Sequence, residues 1–256
     1  ILLCGSDGRL NHKGVLMSKK GKNFVNASKK VDPDKTYGPH EALELVKEMA
    51  YAKFDETVEI HIRTGLDPRQ ADQQIRDVCV LPKGLGKTVR VLVFAQGEAA
   101  NAAREAGADF VAETDEDLAR IQGGYTDFDV AVGTMDMMGK VGRLGRILGP
   151  RNLMPNPKAG TVVQPGDIVH AIDSAKAGRV EFRLDKSANI HVPLGKVSFT
   201  ADALYENMAA LTTAVRKARP SGAKGNFVKK ITLTSTMGPG VKVDINSAMN
   251  METEAV

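Results

Sequence analysis

The sequence runs to 256 residues, of which 42% are hydrophobic and 26% charged, enough to bury one large core or two small ones and too apolar for a chain kept unfolded by its charge. Aromatics are 5% and Trp is absent, which argues against a surface built on rows of stacked rings. No apolar run approaches the roughly 20 residues of a bilayer-crossing helix, and Cys4 and Cys79 form neither a disulfide framework nor a zinc cluster.

The net charge of +4 is unevenly spread. Residues 216–230 hold six basic side chains and no acid, and residues 136–158 hold five basic side chains and one acid. Residues 97–129 hold nine acids and two basic side chains. A basic pole beside an acidic stretch implies an oriented polyanion partner.

In chain order, residues 1–34 are rich in Lys, Gly, Ser and Asn without a regular period, which predicts a flexible basic arm, assigned here to 1–36. The chain opens on Ile1, from which a removed presequence or a fragment is expected. Leu43, Val46, Met49 and Ala50 recur at helical spacing behind Pro39 and predict a helix over 39–52. The stretch 57–65 alternates, with Val58, Ile60 and Ile62 on one side of a half-buried strand. From 85 to 178 apolar runs at 89–94, 110–112, 128–132 and 161–163 alternate with helical stretches at 99–106, 115–122, 135–148 and 167–177. That alternation predicts parallel strands with helices on both faces. Residues 179–185 and 189–193 read as a hairpin, 200 onward as a long amphipathic helix, and 230–235 with 241–245 as a second hairpin.

The stretches before 85 and after 178 share a style, so the expected architecture has two domains. Residues 37–84 and 179–249 would form a split, ferredoxin-like α+β domain. Residues 85–178 would form an inserted Rossmann-like three-layer α/β domain, hinged near Leu81-Pro82 and Gly178.

Catalytic signals fail on inspection. Gly86-Lys87-Thr88 ends like a phosphate loop, but the required first glycine is Leu81. The five histidines lie apart in sequence, without metal-ligand spacing. Asp115-Glu116-Asp117 fits a helix start, where acids favour the dipole. A phosphate-handling enzyme therefore finds little support, and neither a cofactor nor a metal is expected. The distinctive stretch is 142–161, GRLGRILGPRNLMPNPKAGT. Glycines there let backbone approach phosphates, and prolines stiffen the loop. The turn Thr236-Met237-Gly238-Pro239 offers a hydroxyl, an adaptable thioether and bare backbone, a set suited to folded RNA.

These segments resemble one family, that of the first-numbered protein of the large ribosomal subunit. The resemblance rests on 52–59 (AKFDETVE), 144–162 (LGRILGPRNLMPNPKAGTV), 176–186 (KAGRVEFRLDK), 191–199 (HVPLGKVSF), 219–225 (RPSGAKG) and 235–239 (STMGP). It holds in register from about 37 to 244, with Asn152 standing where the family pattern has Gly. It implies a protein of the mobile side stalk, with the terminal domain on the stalk of the large-subunit ribosomal RNA and with a part in releasing deacylated transfer RNA from the exit site. The RNA-binding residues it implies are Lys53, Phe54, Thr57, Thr236, Met237 and Gly238. Arg183, Lys186, His191 and Lys196 are added from the matching hairpin. The basic loop comprises Gly149, Pro150, Arg151, Asn152, Pro155, Asn156, Pro157 and Lys158. Implied partners are ribosomal RNA, exit-site tRNA, other ribosomal components and, in bacterial members, the protein's own mRNA; no membrane is implied. The stretch HIRTGLDPRQADQQIR at 61–76 and the arm look most like cyanobacterial and plastid members. The expected location is the plastid stroma of a chloroplast, with the bacterial cytoplasm as the alternative.

Overall fold

A computed structural model describes residues 21–151, 153–223 and 225–251. In chain order its first half contains α1 (Lys22–Ser28), α2 (Pro39–Met49), β1 (Thr57–Thr64), β2 (Arg76–Val80), β3 (Val91–Phe94), α3 (Glu98–Glu105), β4 (Phe110–Ala112), α4 (Asp115–Gln122) and β5 (Val130–Thr134). Then come α5 (Met138–Val141), α6 (Gly145–Leu148), β6 (Val162–Val163), α7 (Ile168–Lys176), β7 (Arg179–Arg183), β8 (Asn189–Lys196), α8 (Ala201–Lys217), β9 (Val228–Ser235), β10 (Val241–Val243) and α9 (Ile245–Met249). The result is a two-domain α/β fold.

The terminal sheet is antiparallel in the order β10-β9-β1-β8. Alternation along β1 sends Val58, Ile60 and Ile62 into the core, where Leu43, Val46 and Met49 of α2 and Leu204, Met208, Leu211 and Val215 of α8 cover them. Each such apolar side chain, fully buried, contributes about 1.5–3 kcal/mol. Pro39 suits the first turn of α2. The Thr200 hydroxyl accepts the Ala203 N–H at 3.2 Å and starts α8. Both helices lie on one face of the sheet, and among the described residues no helix covers the other face.

The second four-stranded sheet is parallel, in the order β4-β3-β5-β6. Its central strands β3 and β5 are buried on both sides. One face packs Ala99, Ala103, Ile168 and Ile172 of α3 and α7. The other packs Leu118, Ile121, Val141 and Leu148 of α4, α5 and α6. Thr114 and Asp117 form a reciprocal capping box, which explains the acid at position 117, and Asp115 and Glu116 add to the same first turn where negative charge favours the helix dipole.

A two-stranded antiparallel ribbon, β2-β7, joins the two sheets. Its Cys79, Val180 and Phe182 pack into the terminal core. Gly84 and Gly178 meet where the chain crosses: both have positive φ, and a Cβ on Gly178 would fall 2.5 Å from Gly84 Cα. Asn207, fully buried in α8, fixes this crossing point. Its side-chain amide donates to Gly84 O at 3.0 Å and Leu194 O at 2.7 Å, and its oxygen accepts the Lys83 N–H at 3.0 Å.

Several expectations are corrected. The stretch 179–193 is not a simple hairpin: β7 pairs with β2 and β8 with β1, leaving one bridge, Leu184–Ile190, between them. The cause is that Val180 and Phe182 are drawn into the terminal core alongside Cys79. The helix expected at 135–148 is a chain of short turns, because glycines at 139, 142 and 145 carry no side chains to hold one regular rod. The strand at 128–132 lies two residues later, since Asp129 is occupied in binding the Arg90 N–H and the Lys87 ammonium. Part of the expected arm is the helix α1, anchored by buried Ala27, while residues 1–20 lie outside the described residues.

Candidate nucleic-acid interface

The site residues gather around one buried carboxylate. Glu56, 1% exposed, sits at the entry to β1. Its Oε1 accepts the Tyr51 and Ala52 N–H groups at 3.1 and 2.9 Å, and its Oε2 accepts the Met237 N–H at 3.0 Å. Burial pushes this carboxyl up, but the neighbouring Ser235 hydroxyl and the three amides outweigh it and hold it below its ordinary value. The 51–56 loop and the 236–239 turn are thereby fixed to each other, and the Tyr51 hydroxyl adds a bond to Met237 O at 2.9 Å.

That scaffold presents the expected residues together. The Thr57 N–H donates to Thr236 Oγ1 at 3.0 Å, and Lys196 Nζ donates to Thr57 Oγ1 at 2.9 Å. Gly238 closes the turn through its N–H to Ser235 O at 3.2 Å, and a Cβ there would meet Ser235 Oγ at 2.5 Å. Phe54 and Met237 are 56% and 49% exposed despite their apolar character, and Lys53 beside them is exposed. Two solvent-facing apolar side chains among hydroxyls and ammonium groups can pack against sugar and base faces while the polar groups bind phosphate and ribose.

Arg183, Lys186 and His191 stand elsewhere. His191 lies on the helix-free face of the sheet, five residues along β8 from Lys196, and Arg183 and Lys186 lie beyond it at the end of β7 and in the following turn. His191 pairs with His61, Nδ1 to Nδ1, at 2.8 Å. The same face carries Arg63 directly opposite Lys230, and Lys242 opposite Thr232. Among the described residues no carboxylate lies within 4.0 Å of Arg63, Lys230 or Lys242. Two cations facing each other across strands oppose the pairing, unless an anion lies over them. Glu56, His61, Arg63 and Lys242 were missed as site residues. They are scattered along the chain, and only strand register gathers them.

The basic loop is firmly built. Asn156 O accepts the N–H groups of Ala159 and Thr161 at 3.1 and 3.2 Å, and the Asn156 N–H donates to Thr161 Oγ1 at 2.7 Å. Pro155 is buried, Pro157 and Lys158 lie in a 3-10 turn, and Arg151 reaches the Thr126 hydroxyl. Gly149 follows α6, where a Cβ would meet Gly145 O at 2.4 Å, and Pro150 comes next on the surface. Asn152 lies outside the described residues. This loop is remote in the fold from Glu56: it belongs to the parallel-sheet domain, so the two expected groups of residues form two surfaces. Among the described residues no three His, Cys, Asp or Glu side chains converge as a metal-holding group.

Comparison with known proteins places the chain in a family. Residues 46–239 match the model of the ribosomal protein L1p/L10e family. The chain is 59% identical over 237 residues to the large ribosomal subunit protein uL1 of Chloroflexus aggregans, covering 92% of this chain and 100% of that one. The counterpart from Chloroflexus aurantiacus is 58% identical over the same shares, and that from Dehalococcoides mccartyi is 54% identical over 92% and 99%. These relatives are bacterial.

Proposed function

The chain belongs to the ribosomal protein L1p/L10e family, and on that premise we propose that its terminal domain binds the stalk of the large-subunit ribosomal RNA and helps deacylated transfer RNA leave the exit site. Membership makes the protein a structural constituent of the large ribosomal subunit and not an enzyme. The bacterial relatives favour the bacterial cytoplasm over the plastid stroma.

The observation that carries the RNA reading is the Glu56 cluster. It spends a buried carboxylate on holding Phe54 and Met237 out in water, an arrangement that serves a partner better than it serves the core. Lys53 and Lys196 neutralise phosphates; Thr57, Thr236 and the Gly238 backbone bond to ribose and base edges; Phe54 and Met237 pack on their apolar sides. The helix-free sheet face continues the cationic surface through His191, Arg63, Lys230 and Lys242, with Arg183 and Lys186 at its far end. In this reading residues 37–84 and 179–249 form the RNA-binding domain, and residues 85–178 form a hinged domain whose basic loop faces tRNA. A bacterial setting also restores the protein's own mRNA as a ligand of the first surface.

The test is binding of the purified chain to a transcript of the ribosomal stalk RNA against an unrelated duplex of equal length, at physiological salt. Tight, selective binding is expected. Equal, weak binding to both would remove the reading.

A further inference from the structure

We propose that Arg179 is an interdomain latch: it holds the parallel-sheet domain down on the β2-β7 ribbon, and its release lets the hinge open. Arg179 is the first residue of β7, on the ribbon that packs into the terminal core. Its guanidinium crosses to the other domain and donates to Ala159 O and Gly160 O, in the turn that ends the basic loop. Gly160 adopts φ +57°, a conformation that favours glycine, and a Cβ there would press on the Arg179 guanidinium.

Three features make this contact a latch and not a weld. The guanidinium is half-buried, yet both acceptors are neutral carbonyls, and no carboxylate of the described residues lies within 4.0 Å of it. Its desolvation is therefore offset only while the domains stay docked, and water takes over both bonds when they part. Burial accordingly lowers the Arg179 pKa against the opposing pull of Glu181. Around it the docking is loose: a cavity of about 190 Å³ remains between the ribbon's Val78 and Glu181 and the other domain's Leu153, Met154 and Ala171. Underpacked surfaces separate more readily than dense ones. Finally, only two connections cross between the domains, and Asn207 anchors the Gly84 side to the terminal domain, so opening is absorbed beyond that anchor, from Leu85 on, and at Gly178 with its positive φ.

The experiment places donor and acceptor dyes on exposed Lys217→Cys and Glu116→Cys in a Cys4→Ser background of the full chain, with Cys79 left buried, and records single-molecule energy transfer. Arg179→Ala and, separately, Gly160→Ala should shift molecules to a longer interdomain distance, with the open-to-closed ratio rising about tenfold for Arg179→Ala. Arg179→Lys, which keeps the charge and loses the fork, should fall between. Wild-type distance distributions in both alanine variants would overturn the latch. Should Arg179→Ala lose its cooperative melt, Gly160→Ala alone decides, because it leaves the arginine in place. The outcome is distinguishable from that of the RNA test, which reads affinity and not the distance between the domains.

Discussion

Glu56 Oε2 accepts the Met237 N–H at 3.0 Å across 181 residues of chain. This bond joins the start of the first sheet strand to the turn after the ninth, and it sets the spacing between Phe54 and Met237. Replacing Glu56 by Gln keeps the shape, loses the charge, and turns one of the acceptor oxygens into a donor facing amides. The expected cost is about 1–3 kcal/mol of stability, together with weaker RNA binding. The pH dependence follows from the sign of the shift. A carboxyl held below its usual 4.5 contributes stability that is present above 4.5 and lost as pH falls through the lower folded value. Urea melts of wild type and Glu56→Gln should converge at low pH; a constant gap down to pH 2 would refute this.

Phe54→Ala and Met237→Ala should separate binding from folding. Both side chains are about half exposed, so stability should stay within about 0.5 kcal/mol of wild type. Loss of packing on a base or sugar should weaken stalk RNA binding by about 1–3 kcal/mol each. Calorimetry and a filter-binding titration together check this, and a fall in melting temperature with unchanged affinity would assign the pair to the fold.

Arg63→Gln with Lys230→Gln removes the cross-strand cations on the open sheet face. Stability should hold or rise slightly, since a like-charge opposition is relieved. If phosphates cover this face, the slope of log affinity against log salt should become shallower by about two. Titration at four salt concentrations reads the slope directly, and an unchanged slope places the RNA elsewhere.

The His61–His191 pair gives a second pH signature. With 2.8 Å between the Nδ1 atoms, one ring must donate and the other accept. His61 is shifted below its ordinary value by burial and then by His191, with Glu59 opposing. Asp185 stands 3.5 Å from His191, and Arg63 and Thr232 complete the surroundings of His61 on the flanking positions. A base whose folded pKa is depressed contributes stability that is present above pH 6.5 and lost as pH falls through the folded value. Thermal melts between pH 7.5 and 5 should therefore slope more steeply for wild type than for His61→Gln, and parallel slopes would count against the pairing.

The fold was legible wherever burial imposes a period. The alternation of 57–64 and the apolar stripe of 201–217 became β1 and α8. Strand β2, RDVCV, was not legible, because its exposure runs without alternation and only Cys79 is buried. The partner of β7 escaped because pairing between 76–80 and 179–183 skips an entire domain. The candidate site divides in the same way. Thr57, Thr236 and Met237 were readable through short motifs, whereas Glu56 reads in sequence as an ordinary surface acid. Its burial depends on a turn that arrives 181 residues later. Two of the five histidines, His61 and His191, lie far apart in sequence and meet through the β1–β8 register.

That register also fixes the order in which the protein can be made. Strand β1 is flanked by β8 and β9, which the ribosome delivers more than a hundred residues after it. The parallel sheet between them needs only contiguous chain and can close while the remainder is still being synthesised. The first half of the terminal core therefore has to wait, with Ile60 and Ile62 only partly sheltered, until β8 and α8 emerge. A nascent chain stalled before residue 189 should carry a finished inserted domain on an open, chaperone-accessible amino-terminal half.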